Sequence, residues 1–525
     1  MTWTLLTLFC CLFVWNGILL SSEKRPMTFV DVINIKNRSG LRISPDGTQV
    51  LYTQSDADWE ENRRISHIWR LNMDKNEVVQ MTNGLKGEGG GLWSPDGKTI
   101  SFITLREGDN NDEDDHYDQI FLLNNSGGEA IQLTDHDSDI RTHRWSPCGS
   151  RIYFLAQDPL TEEEEEKKED KDDAFIFEQD YNLTHLWVFD LETKKEKRLT
   201  EGDFTIREFS ISRDGTKIVH TAAPTPSYDD TLNSEVWLLD LESGERKQIT
   251  QNGIYEFDVS LSPDSSQILF VAESNADQTD YYFQQNAFVV PVEGGKPKAL
   301  IPDFEYEVMD TDWSSDGKTV YFTANMGVHA EIFSFTLKGP KLKQLTDGRH
   351  AIYGFDHNPK NDTLLYEMNS PQNPETFWLL DIKSSKAHMI HDPHPELDAF
   401  QLAEYESVRW KSTDGMEVEG ILVYPVEYEK GKRYPLLAHT HGGPMGSDKF
   451  TFDGYAHVRA GRGYAVFKPN YRGSTGYGNE VLRDMVGHYF LHADDDVITG
   501  VEFLVERGIA DPRDSERSDG AQAGT

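Results

Sequence analysis

From Gly40 to Asp392 the chain alternates short apolar strands with polar turns, and one turn phrase returns. It reads Ser44-Pro45-Asp46-Gly47, Ser94-Pro95-Asp96-Gly97, Ser146-Pro147-Cys148-Gly149, Ser212-Arg213-Asp214-Gly215, Ser262-Pro263-Asp264-Ser265 and Ser314-Ser315-Asp316-Gly317, with Asn358-Pro359-Lys360-Asn361 as a degenerate seventh. Successive starts lie 50, 52, 66, 50, 52 and 44 residues apart. Proline presets φ for a tight turn, aspartate can bond its own backbone, and glycine accepts positive φ. An alternating strand follows each turn, as in Lys98-Thr99-Ile100-Ser101-Phe102-Ile103. A second apolar strand comes later, such as Val236-Trp237-Leu238-Leu239, and phrases such as Gln132-Leu133-Thr134 and Gln344-Leu345-Thr346 close several units. A period near 50 filled with strands predicts a β-propeller. The turns predict seven blades of about four strands, with six blades and a stray hairpin as the alternative. Met27 to Lys36, ahead of the first unit, reads as a short helix.

Around Asp398 to Tyr405 the repeats stop. Ser407 to Lys411 and Glu417 to Pro425 read as a hairpin across Asp414-Gly415. Tyr434 to Thr440 and Gly463 to Pro469 are apolar runs that end at Gly-rich loops, the pattern of buried parallel strands. The first delivers His441-Gly442-Gly443-Pro444. Two glycines let the backbone turn sharply, so that a free N–H can face a reacting oxygen, as in an oxyanion loop. An ordinary strand-to-loop turn is the alternative. The second delivers Asn470-Tyr471-Arg472-Gly473-Ser474-Thr475-Gly476-Tyr477-Gly478. Gly478 to about Leu491 reads as a helix, and Asp494-Asp495-Asp496 reads as the acidic start of another that Gly508 closes.

The two loop motifs together resemble the catalytic domain of the prolyl oligopeptidase family of serine peptidases, nearest the acylaminoacyl-peptidase and dipeptidyl-peptidase branch. The resemblance runs from about Thr28 to Pro512. It implies an all-β seven-bladed propeller followed by a partial α/β-hydrolase domain. The implied activity is hydrolysis of short peptides through an acyl-enzyme, with the propeller restricting access and no cofactor. His441, Gly442, Gly443 and Pro444 become the oxyanion loop, Tyr471 and Arg472 candidate substrate contacts, and Glu178 a candidate grip on a substrate amino terminus.

The family's nucleophile belongs on a Gly-x-Ser-x-Gly elbow, with the triad Asp and His after it. No Gly-x-Ser-x-Gly occurs in the 525 residues. Ser474 comes nearest, but Arg472 stands where the first glycine is needed. After Pro512 the composition turns polar and small, as a frameshift or an alternative exon would leave it. The triad is therefore expected beyond Thr525, the 396–525 region is read as half of a hydrolase domain, and an apolar strand edge is expected to lack its neighbour. The rival reading is a non-catalytic propeller that binds partners.

Composition narrows the picture. A net charge of −39 argues against nucleic acid as a partner. Residues 1–22, apolar from Leu5 to Leu20, read as a signal peptide for a periplasmic or secreted protein, with no stable membrane insertion after cleavage. Residues 23–39 are then a lead-in and 40–395 the propeller. Cys10 and Cys11 would leave with the signal, and Cys148 would remain as an inert thiol in a turn. The acidic run Thr161 to Asp173 reads as a solvated loop. Asn37, Asn124, Asn182 and Asn361 head glycosylation sequons. His488, His492 and Asp494 could suggest a metal, but no glutamate general base sits between the histidines, and no metal is expected.

Overall fold

The computed structural model describes residues 24–105, 117–170, 172, 174, 181–273, 282–339, 341–443, 445–488 and 490–519. The signal-peptide reading, Glu178 and Pro444 lie outside them. Seven four-stranded antiparallel sheets follow one another along the chain, from Asn37–Ile43 in the first to Lys386–His391 in the last. Each sheet is built from consecutive strands, so the expected seven blades are present. The helix ahead of them is Phe29–Asn34, opened by a capping box between Thr28 and Asp31.

The turn phrase works as its residues require. In the first blade the Ser44 hydroxyl donates to Asp46 Oδ1 at 2.6 Å and accepts from the Gln49 N–H, while Asp46 Oδ1 accepts from the Thr48 N–H. Gly47 sits at φ +77°, and the equivalent Ser265 takes φ +57° where glycine is missing. Cys148 occupies the aspartate position of the third turn, 3.0 Å from the Ser150 hydroxyl. Hydrogen bonds from Ser146 and Ser150 push its exposed thiol down to about 7. The closing Leu-Thr phrase also has a role. Thr134, Thr200, Thr250 and Thr346 each accept, on the side-chain oxygen, a backbone N–H of the blade's third strand, at Ile120, Leu186, Val236 and Ile332.

The cores lie between blades. One cluster joins Leu269 and Val271 of the fifth blade to Trp313, Val320 and Phe322 of the sixth. Another joins Leu41, Ile43 and Tyr52 of the first blade to Leu365 and Phe377 of the seventh. A single blade therefore cannot bury its own apolar faces, which makes the ring cooperative. Among the described residues no strand is shared across the closing seam, and polar bonds assist there: Asp356 accepts the Ile43 N–H at 2.7 Å, and Asn358 donates to the Ser44 carbonyl at 3.0 Å. The acidic run differs from expectation. Glu162–Glu169 is a helix, because Thr161 and Glu164 form a capping interaction and Lys167 pairs with Glu163 one turn away.

Beyond the propeller stand β1 (Tyr405–Lys411), β2 (Glu417–Val423), β3 (Tyr434–Thr440), β4 (Ala465–Asn470) and β5 (Ala510–Asp519). They form one sheet in the order β1-β2-β4-β3-β5, with β3 parallel to both β4 and β5. Helices α1 (Gly454–Gly461), α2 (Gly478–Arg483) and α3 (Leu491–Glu506) connect the strands or cover the sheet. Leu436, Ala438, Phe467 and Leu504 pack beneath it. The strand edge expected to be bare is occupied: the polar tail pairs with β3 from Tyr434↔Ala510 to Thr440↔Asp519. Ladder bonds need only backbone. A register irregularity between Tyr434 and Leu436 skips the partner positions around Pro512, where proline has no N–H to give.

Candidate active site

The two Gly-rich loops leave the same end of β3 and β4 and meet. The His441 and Tyr471 rings stack, 4.6 Å apart and 12° from parallel. The Tyr471 hydroxyl donates to the His441 carbonyl at 2.7 Å. The Ser474 hydroxyl donates to the Tyr471 carbonyl at 2.5 Å and lies 3.0 Å from His441 Nε2. With its proton engaged there, Ser474 can only accept from His441, so Nε2 carries the hydrogen. Burial pushes the His441 imidazole below its ordinary value and keeps it neutral. A neutral ring with its proton on Nε2 has none for the Gly442 carbonyl, 3.0 Å from Nδ1. The turn is thus held from Tyr471 and Ser474.

Gly442 and Gly443 are exposed, and their N–H groups donate to no protein acceptor among the described residues. Gly443 takes φ +128°, in the region that favours glycine, and a Cβ there would meet the Met445 backbone at 2.6 Å. Unpaired N–H groups at a strand end, on a turn clamped from behind, suit a developing negative charge.

Arg472 is elsewhere engaged. It is 2% exposed. Its Nε and Nη2 donate to the two Asp496 oxygens at 3.0 and 2.8 Å, its backbone N–H donates to Asp496 at 2.9 Å, and Nη1 and Nη2 reach Asp414 and Ser412. It therefore corrects to an anchor of the loop instead of a substrate contact, and Tyr471, 6% exposed with its hydroxyl committed, supports the turn in the same way. Asp496 is corrected with it. The triplet stands later than expected in α3, which starts at Leu491 and has Asp494 in its first turn; Asp496 lies inside the helix, fully buried, as the carboxylate that holds Arg472. Sequence reasoning missed this pair because 24 residues separate its members, and only an arginine in a buried loop pointed to a missing partner. His492 faces Asp484 at 2.9 Å.

Below the turn, Lys468 of β4 bridges Asp448 and Asp453, each at 2.9 Å. Lys468 outweighs the burial of Asp453 and holds that carboxyl down at about 2. Burial brings the Lys449 ammonium down to about 8.

The loop also docks on the propeller. Asn325 of the sixth blade donates to Thr475 at 2.8 Å and to Glu307 at 2.9 Å. Gly327, at φ +71°, leaves room for the Tyr477 ring, and the Tyr477 hydroxyl donates to Glu419 at 2.9 Å. The Phe450 N–H donates to the Val328 carbonyl at 2.9 Å. The site end of the sheet therefore faces the ring.

Two family models match the chain: the prolyl oligopeptidase family over residues 450–515, and the dipeptidyl peptidase IV N-terminal region over 159–279. The uncharacterized peptidase YuxL of Bacillus subtilis is 28% identical over 512 residues, covering 92% of this chain and 76% of that protein. Dipeptidyl-peptidase 5 of Porphyromonas gingivalis is 25% identical over 500 residues, covering 90% and 72%. The Pyrococcus horikoshii acylaminoacyl peptidase structure superposes with a TM-score of 0.74 over 95% of this chain and 75% of its own, at 20% identity. That likeness concerns the fold: propeller first, α/β-hydrolase domain after it.

Proposed function

This chain belongs to the prolyl oligopeptidase family of serine peptidases, and on that premise we propose that it handles short peptides between propeller and sheet, as an exported peptidase of the acylaminoacyl- or dipeptidyl-releasing kind. The observation that carries the reading is the clamped His441-Gly442-Gly443 turn with its unpaired N–H groups. In acyl transfer such a turn stabilises the oxyanion of a tetrahedral intermediate. His441 and Tyr471 position the turn, and Arg472 with Asp496 anchors the loop behind it. The propeller, at 40–395 in the proposed division, limits entry to small substrates.

Attack on the carbonyl needs a nucleophile, a base and an oriented acid. The 525 residues contain no Gly-x-Ser-x-Gly from which to build them. Loss of triad members costs roughly 10⁴ to 10⁶ in rate. A polypeptide of these residues alone is therefore expected to leave dipeptidyl- and acylaminoacyl-nitroanilides intact. The coding sequence past codon 512 should be read in all frames, and any frame that restores the elbow should be joined to this chain. Nitroanilide turnover by the joined chain, and none by the 525 residues, is the expected pair of results. Turnover by the 525 residues refutes their expected inactivity, and an inert joined chain refutes the peptidase reading and favours the binding scaffold.

A further inference from the structure

The lumen of the propeller has two unlike walls. The innermost strands of the first and third blades bring Arg42, Arg141 and Arg144 to one cavity of about 260 Å³, with the second blade between them. Glycines line it too. Gly40 and Gly90 have positive φ, and no atom lies within 4 Å of where a Cβ would stand, so the wall is pulled back beside the arginines. None of the three guanidinium groups has an ion-pair partner within 4 Å among the described residues. Among the described residues Arg42 donates only to the Leu41 carbonyl, and Arg144 only through Nη1, to Thr142 and the His143 carbonyl. Their other N–H groups are left for a ligand or water. Loss of surrounding water, and after it the Arg42 charge, push Arg144 below its ordinary value, although its side chain stays open to solvent in the lumen. In a chain of net charge −39, three cations gathered with no carboxylate in ion-pair contact among the described residues need a reason, although Arg42 also lines a neighbouring cavity with Asp310 and Asp356.

The other wall carries Glu208, Asp258, Asp310, Asp312 and Asp356, from the fourth to the seventh blade. Arg42 acts electrostatically on Asp310 and Asp356, and Glu208 on Arg144, so the walls feel each other across the lumen. A compact inorganic oxyanion would meet the arginines and be repelled by the carboxylates. A molecule with a carboxylate at one end and a positive group at the other suits both walls. Guanidinium forks match a planar carboxylate.

We propose that Arg42, Arg141 and Arg144 form an anion site in the propeller lumen that takes the free C-terminal carboxylate of a short peptide. The nature of the carrier rests on the peptide function above; the arginine site does not. The site sorts peptides by their charged end before any chemistry and slows those whose terminus is blocked.

The test is calorimetric titration of the whole 525-residue protein with trialanine, trialanine amide and inorganic phosphate. Because it reads equilibrium binding, a failure of the proposed peptidase activity cannot imitate a failure of the site. Trialanine is expected to bind at least about tenfold tighter than its amide, since the amide removes a charge-assisted partner. Arg144→Gln and Arg42→Gln should each weaken trialanine about tenfold with unchanged melting, and Arg144→Lys should fall between. Equal binding of acid and amide, or unaltered binding by well-folded glutamine variants, overturns the site. Phosphate bound more tightly than trialanine, and lost in the same variants, overturns the peptide assignment.

Discussion

Replacing Asp496 with alanine should release the Asn470–Gly478 loop while leaving the propeller intact. The carboxylate is fully buried and accepts three bonds from Arg472, at 2.8, 2.9 and 3.0 Å. Breaking a buried pair by removing one partner costs about 3–5 kcal/mol, because the remaining charge keeps its desolvation penalty. Arg472 would still reach Asp414, whose side chain is 46% exposed, and Asp484 at 3.8 Å, so the lower end applies. About 3 kcal/mol corresponds to roughly a hundredfold faster amide exchange where the loop opens locally. Hydrogen–deuterium exchange read peptide by peptide is the assay, since a two-domain chain gives no single unfolding free energy. Peptides covering 470–478 and 491–506 should lose protection, and those from the first five blades should not. The Arg472→Ala/Asp496→Ala double variant should cost less than the sum of the single changes. Unchanged protection in the loop, or equal loss throughout the ring, would refute the anchoring argument.

Three further outcomes follow from the geometry. Phe322→Ala, in the core between the fifth and sixth blades, should cost about 3–5 kcal/mol and lower the propeller melting temperature, and a neutral effect would deny that the seams carry the ring. Gly327→Ala would drive a methyl into the Tyr477 ring at an already left-handed φ, so exchange should rise at 447–452 and 473–479 with the blades unchanged. Burial raises Glu256 and Glu367 to about 8, and Glu208 and Asp310 to about 7. A carboxyl raised on folding gives stability that is complete below its unfolded value, about 4, and is lost as pH rises through the folded one. The propeller should therefore melt higher at pH 5 than at pH 8.5, with Glu256→Gln flattening the profile; a profile rising toward pH 8.5 would contradict this.

The ring of blades could be read from the order of the residues. Each Ser-Pro-Asp-Gly phrase encodes its own turn through contacts within five residues, and each apolar strand carries its own alternation, so the blade count was legible without tertiary contacts. The His441-Gly442-Gly443 turn was legible there as well, because glycine at a strand end is a local backbone requirement. What the neighbouring polar residues do follows from contacts made in the folded molecule. Arg472 looked like a substrate contact until Asp496 was brought against it, and Asp496 looked like a helix cap until α3 was seen to start five residues earlier. The tail after Pro512 carries no strand pattern, yet it pairs with β3, since ladder bonds belong to the backbone and follow from an open edge. Arg42 and Arg144, 102 residues apart, share a lumen only because successive blades place equivalent strands around one axis. Short-range chemistry is written in the order of the residues. A charge pair or a cavity wall depends on which distant segments the seams between blades, and the sheet beyond them, press together.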